Sequence, residues 1–194
     1  CTVPPKQSKY VSAPNLAGDL ESDTAPGTHL KVARIDIIAP RKGSLLFSSG
    51  VTSSTYYKGS LAHRSNHSAA YFLKDGFDQS VRGALSHVFE TEATSEKIVQ
   101  VVAKLDVDAE VEPDRNVSLC WGWHITTRVD LKVSVVDRDG NTTMHEFGAP
   151  NNESICQPYG IFPHEVSITK HIKKVMLIVI EKMRQNPKYN TAAK

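Results

Sequence analysis

Three cysteines and eight histidines carry the widest chemical repertoire in this chain. Cys1 stands first, followed by Thr2-Val3-Pro4-Pro5-Lys6-Gln7. Two chemistries use a cysteine at that place. The thiol can act as a nucleophile with its own α-amine as base. That needs a rigid position at the start of a buried strand, for which Thr2 to Gln7 is unsuited. Alternatively the thiol accepts lipid. A lipid-bearing terminus needs a flexible polar spacer, and residues Cys1 to Gly27 supply one, with Pro4, Pro5, Pro14 and Pro26 among many Ser, Asp, Gly and Lys residues. Acyl chains contribute about 0.8 kcal/mol per buried methylene, so two or more hold a protein stably. Cys1 is therefore expected to be a lipid acceptor, exposed by removal of a secretory signal peptide. Amide hydrolysis by Cys1 is the alternative.

Cys120 and Cys156 flank a long hairpin pattern. They read either as a disulfide of an oxidising compartment or as two unrelated buried thiols. Of the histidines only His63 and His67 have a metal-like spacing, and Ser65-Asn66 between them is turn-like. No carboxylate completes a pattern and no C-x-x-C occurs, so no metal and no cofactor is expected, and the histidines read as surface residues. His124 and His145 are expected to face each other on the wet side of the hairpin. The chain has no G-x-S-x-G, no Walker loop and no G-x-G-x-x-G. Asp106, Asp108 and Glu110 form an acidic row that reads as a solvated sheet face, with Arg128 and Lys132 as cross-strand partners. Asn66, Asn116, Asn141 and Asn152 sit in glycosylation acceptor patterns, which matter only in a eukaryotic secretory protein.

The elements that would position these groups are written in the apolar spacing. Val99, Val101, Ala103, Leu105, Val107, Ala109 and Val111 alternate with polar residues. Trp123, Ile125, Val129, Leu131, Val133 and Val135 do the same. Asp137 to Asn141 is a turn, and Thr142 to Phe147 is a short return strand. Residues 97–147 thus read as an antiparallel meander with one buried face. Leu30 to Ile38 is a first strand, ended by Ala39-Pro40. Asp75 to Glu90 is a helix on the spacing of Phe77, Val81, Ala84, Leu85 and Val88. Its Gly83 either costs about 1 kcal/mol or allows close approach to the sheet. Ala149 to Pro163 reads as a loop. The stripe Ile168, Ile172, Val175, Met176, Val179 and Met183 makes a final helix that Asn186-Pro187 ends. The predicted fold is α+β, a mostly antiparallel sheet with two helices packed on one face. Residues 1–28 form a tether, 29–187 a single domain and 188–194 a loose tail.

Composition narrows the function classes. The 194 residues carry a net charge of +2 with both signs interleaved, so no nucleic-acid partner is expected. The longest apolar run, Val175 to Ile180, is too short to span a bilayer. Arg41 to Ala70 is long, Ser- and Gly-rich, and read as an insertion at the sheet edge, with short strands or a hairpin at Ser44 to Phe47 and Ser53 to Lys58. Its Phe47, Tyr56 and Tyr57 are the candidate partner-binding residues.

Cys1, the Pro/Ser-rich spacer, the helix Phe77-Asp78-Gln79-Ser80-Val81-Arg82-Gly83-Ala84-Leu85 and the alternating strand Val99 to Val111 together resemble a Gram-negative bacterial envelope lipoprotein. The body is similar in order to YajG-type lipoproteins, and more loosely to LptE-like and TolB-N-like periplasmic proteins. The long Arg41 to Ala70 segment and the Cys120/Cys156 pair depart from that pattern. The resemblance implies a non-enzymatic adaptor, assembly factor or accessory subunit that binds another envelope protein. Thr2 in place of Asp implies sorting to the outer membrane, facing the periplasm.

Overall fold

The computed structural model describes residues 7–16, 19–20, 29–57, 60–112, 120–158 and 160–190, with the backbone alone for 53–57 and 60–65. In chain order the elements are β1 (Gln7–Val11), β2 (Leu30–Val32), β3 (Arg34–Ile38), β4 (Leu45–Tyr57), β5 (Ser60–Leu73), α1 (Phe77–Leu85), β6 (Phe89–Thr91), β7 (Ile98–Val111), β8 (Trp121–Val136), β9 (Thr142–Gln157) and α2 (Glu165–Arg184). The α+β reading holds, with the strands grouped into three sheets ordered β3-β7-β8-β9, β1-β5-β4 and β2-β6.

The four-stranded sheet is built on the antiparallel meander. Its register sets Val99 opposite Val135, Val101 opposite Val133 and Leu105 opposite Val129. On β7 and β8 one face is therefore apolar except at Thr127, and Trp123, Ile125, Val129, Leu131 and Val133 are fully buried on it. The opposite face keeps Gln100, Lys104, Asp106, Asp108, Arg128 and Lys132 in water. Helix α2 covers β8 and β9 with Ile168, Ile172, Val175, Met176, Val179 and Met183, all 0% exposed. Burial of each such side chain contributes about 1.5–3 kcal/mol. Helix α1 packs beside β3 and touches α2.

The structure departs from the sequence expectations in several places. The supposed tether contributes a strand, β1, which pairs in parallel with Ala69–Leu73 of β5. Val11, Leu16 and Leu20 enter the core. Residues 30–38 form two strands in different sheets, β2 against β6 and β3 against β7. Of the short strands or hairpin expected after Arg41, the structure has the hairpin, longer than expected and paired from Leu45↔Phe72 to Tyr57↔Ser60. β9 runs on through Gly148-Ala149-Pro150 to Gln157 where a loop was expected. It is the last strand of its sheet, and Pro is tolerated there because no neighbour needs its missing N–H. Gly83 does not mediate a close approach, since a Cβ there would meet nothing within 4 Å.

Candidate functional site

The wet face of the four-stranded sheet holds a depression of about 470 Å³ lined by Val102, Lys104, Arg128, Asp130, Lys132 and Glu146. Strand alternation places all six on one side. Asp106 lies opposite Arg128 in the register and attracts it across the ladder, but the close ion pairs of these cations are made elsewhere. Arg128 Nε donates to Asp130 Oδ2 on its own strand at 2.7 Å. Lys132 Nζ lies 3.8 Å from Glu146 Oε1 on β9. Gly148 faces Asp130, and a Cβ there would collide with the Asp130 carboxylate, so the glycine leaves room for it. Lys182 Nζ donates to the Gly148 carbonyl at 2.7 Å from α2. That occupies a main-chain acceptor of the last strand.

A wider depression of about 760 Å³ lies where β2, the segment after β6 and the β8–β9 turn meet. Its charges are largely matched. Lys31 Nζ is 3.0 Å from Glu92 Oε2, and Arg138 Nη1 is 3.0 Å from Glu96 Oε1. Asp137 accepts from the backbone N–H groups of Asp139 and Asn141 at 3.0 and 2.9 Å, which closes the turn over Gly140 at φ 81°. These bonds hold the Asp137 carboxyl below its ordinary range, the Asn141 side chain contributing most.

Among the described histidines one is buried. His171 is 5% exposed and belongs to the inward stripe of α2. Its helical spacing, three after Ile168 and four before Val175, was the available signal. Its Nε2 lies 3.2 Å from Glu153 Oε2 without the alignment of a hydrogen bond. Its Nδ1 is 3.5 Å from Asn151 Nδ2. Burial lowers its pKa, and the Glu153 carboxylate opposes that shift. Lys174 Nζ also reaches Glu153 at 3.2 Å. His124 and His145 do not face each other. His124 is on the wet face near Ser154, whereas His145 lies opposite Val133 on the packed face and contacts the Tyr189 hydroxyl at 3.0 Å. The register has one parity, so 124 and 145 fall on opposite faces.

Cys120 and Cys156 are joined as a disulfide, with Cα atoms 5.6 Å apart across the β8–β9 ladder. Cys1 lies outside the described residues. Phe47 is not a surface residue: it is 6% exposed and stacks on Tyr71 with ring centroids 4.3 Å apart. The bulge between Leu45 and Phe47 turns it inward. Tyr56 and Tyr57 lie in the outer part of the hairpin, opposite Leu61 and Ser60, and their side chains are outside the description. Among the described residues, β1 pairs only with Ala69–Leu73 of β5, and no strand pairs with the other side of β4. Among the described residues the outer hairpin is thus a two-stranded ribbon with no further strand paired along it. Among the described residues no group of three or more His, Cys, Asp or Glu side chains gathers to hold a metal ion, and no helix is long and apolar enough to cross a membrane.

No family model and no curated protein matches this chain. Two solved bacterial structures are similar in shape. One, from Helicobacter pylori and described as a neuraminyllactose-binding hemagglutinin homolog, shares 9% identity over 84% of each chain with a TM-score of 0.40. The other, a Xanthomonas campestris protein of the DUF330 family, shares 10% identity over 92% of this chain and 91% of its own, with a TM-score of 0.32. Likenesses this remote carry no inference about activity.

Proposed function

We infer that this chain is a non-enzymatic binding or adaptor module of a bacterial envelope, anchored through lipid on Cys1 and facing the periplasm from the outer membrane. It serves there as an assembly factor or accessory subunit. The observation that carries the reading is the β4–β5 ribbon. A strand edge with no further strand beside it among the described residues is a template for strand addition by a partner chain. The Cys120–Cys156 disulfide supports an oxidising compartment. Residues 2–6 separate Cys1 from β1. The six Cα–Cα steps from Cys1 to Gln7 reach at most about 20 Å, so a lipid on Cys1 holds the body close to its bilayer.

Two measurements test this. Photo-crosslinking residues placed at Tyr56 and Tyr57 in native cells should give a discrete protein adduct, and Tyr56→Ala with Tyr57→Ala should abolish capture while the thermal transition stays in place. Unchanged capture removes the ribbon from the account. Intact mass of the protein from its own cells should show several acyl chains on the N-terminal peptide. A free, unmodified Cys1 sinks the anchor and turns attention to amide hydrolysis.

A further inference from the structure

The outer face of the three-stranded sheet carries an apolar row at one end. The register aligns Tyr10 of β1, Phe72 of β5 and Leu45 of β4 side by side. The rings of Tyr10 and Phe72 are 6.0 Å apart between centroids. Tyr10 and Leu45 are each 57% exposed, so this row is presented to the outside rather than packed. Buried neighbours fill the other face, with Tyr71, Leu73 and Val11 at 0%.

Cations gather at the same end. β4 begins where β5 ends, joined by Gly43 N–H to Leu73 O at 2.8 Å and Leu73 N–H to Ser44 O at 2.9 Å. The turn Arg41 to Ser44, with Gly43 at φ 82°, holds exposed Arg41 and Lys42 at that corner. Lys74 follows β5 and is fixed by its own N–H on Val11 O at 2.8 Å. Among the described residues none of Arg41, Lys42 and Lys74 enters an ion pair. Several other surface cations are paired, as at Lys9–Glu165 and Lys173–Asp19. Asp75 is the one carboxylate adjoining this corner in sequence.

We propose that the Tyr10–Phe72–Leu45 row with Arg41, Lys42 and Lys74 is a docking face for an anionic phospholipid surface. Tyr and Phe are suited to the headgroup level, where an apolar body is buried and a polar tip stays wet. Unpaired Lys and Arg around them are drawn to lipid phosphates, each to a degree that ionic strength reduces. A protein partner of the ribbon would engage a different part of the same sheet. The inference does not depend on lipid at Cys1, because the face would act in the unmodified chain.

The test is co-sedimentation of the full 194-residue chain, unlipidated, with vesicles of phosphatidylcholine alone and of phosphatidylcholine with about one third phosphatidylglycerol. Binding is expected only to the anionic vesicles and is lost as salt rises. Charge reversal of Arg41, Lys42 and Lys74 together should weaken it by at least about a hundredfold, or roughly fivefold for each cation. Tyr10→Ser with Leu45→Ser should also weaken it, and their exposure keeps the fold intact. Lys104→Glu with Lys132→Glu, on the four-stranded sheet, should leave binding unchanged. Equal binding to both vesicle types, no binding to either, or an equal loss in the Lys104/Lys132 control overturns the proposal. So does a dimer in sedimentation velocity that disappears with Tyr10→Ser and Leu45→Ser while vesicles go unbound, since the face would then belong to a second copy. These outcomes read the unmodified chain, so they are separable from the mass of Cys1 and from crosslinking at Tyr56.

Discussion

Removing the Cys120–Cys156 bond should cost this protein a large share of its stability. The two residues are 36 apart in sequence. Cross-linking such a loop withdraws about 13 cal/mol/K of entropy from the unfolded chain, which is about 4 kcal/mol at 25 °C in the chain-entropy account. The native state gives little back, because Gly122 lies opposite Cys156 in a ladder that exists without the bond. For a domain of this size the loss should lower the melting temperature by about 8–15 °C. The assay compares thermal and urea unfolding of the oxidised protein, the reduced protein and the variant Cys120→Ala with Cys156→Ala. The urea dependence should also steepen on reduction, since the unlinked unfolded chain exposes more surface. Cys1→Ser should change neither transition. A double variant melting within about 2 °C of the oxidised protein would refute the reasoning. Three titratable thiols in the unreduced, denatured chain would refute the bond itself.

Three further outcomes follow from buried polar groups. Thr127 is fully buried, and its hydroxyl is without a hydrogen-bond partner among the described residues. Thr127→Val should therefore be neutral or stabilising by about 1 kcal/mol, read as an unchanged or raised melting temperature. Ser80 Oγ donates to the Pro14 carbonyl at 2.8 Å beneath α1. Ser80→Ala should cost about 1 kcal/mol and speed proteolysis within the first twenty residues, measured by limited digestion. Burial holds His171 neutral below its ordinary pKa of 6.5, and the stability this contributes is complete above 6.5. It is lost as the pH falls toward the lowered value, because the unfolded chain binds a proton that the folded chain resists. His87 and His145 shift the same way through burial. His171→Leu should therefore flatten the acid limb of stability against pH only in part; an unchanged limb would remove His171 from it.

The long regular elements were legible because their burial is one-sided. β7, β8 and α2 each bury one stripe, and a stripe leaves a period in the sequence. What was hidden obeys other rules. β1 reads Gln7-Ser8-Lys9-Tyr10-Val11, and only Val11 is buried. Such a strand is specified by the edge it joins, not by its own pattern. Pro150 looked like a stop and is an edge-strand residue. Phe47 looked like a surface aromatic because the bulge that turns it inward leaves no local mark. At the candidate surfaces the charged residues were visible, but their pairing was not: Arg128 chose Asp130 over Asp106 by side-chain geometry that spacing does not encode.

The three parallel pairings impose an order of assembly. The β4–β5, β7–β8 and β8–β9 pairs join neighbouring strands and can close as local hairpins. β1, β2 and β3 cannot. Gln7 meets Ala69, Leu30 meets Phe89 and Arg34 meets Ile98. Each contact closes a loop of roughly sixty residues, whose entropy must be paid before any parallel hydrogen bond forms. The segments synthesised first are therefore the last to dock. Until β5 is complete, residues 7–11 have no partner, and the stretch that ends as an ordered strand spends its early life as an open chain.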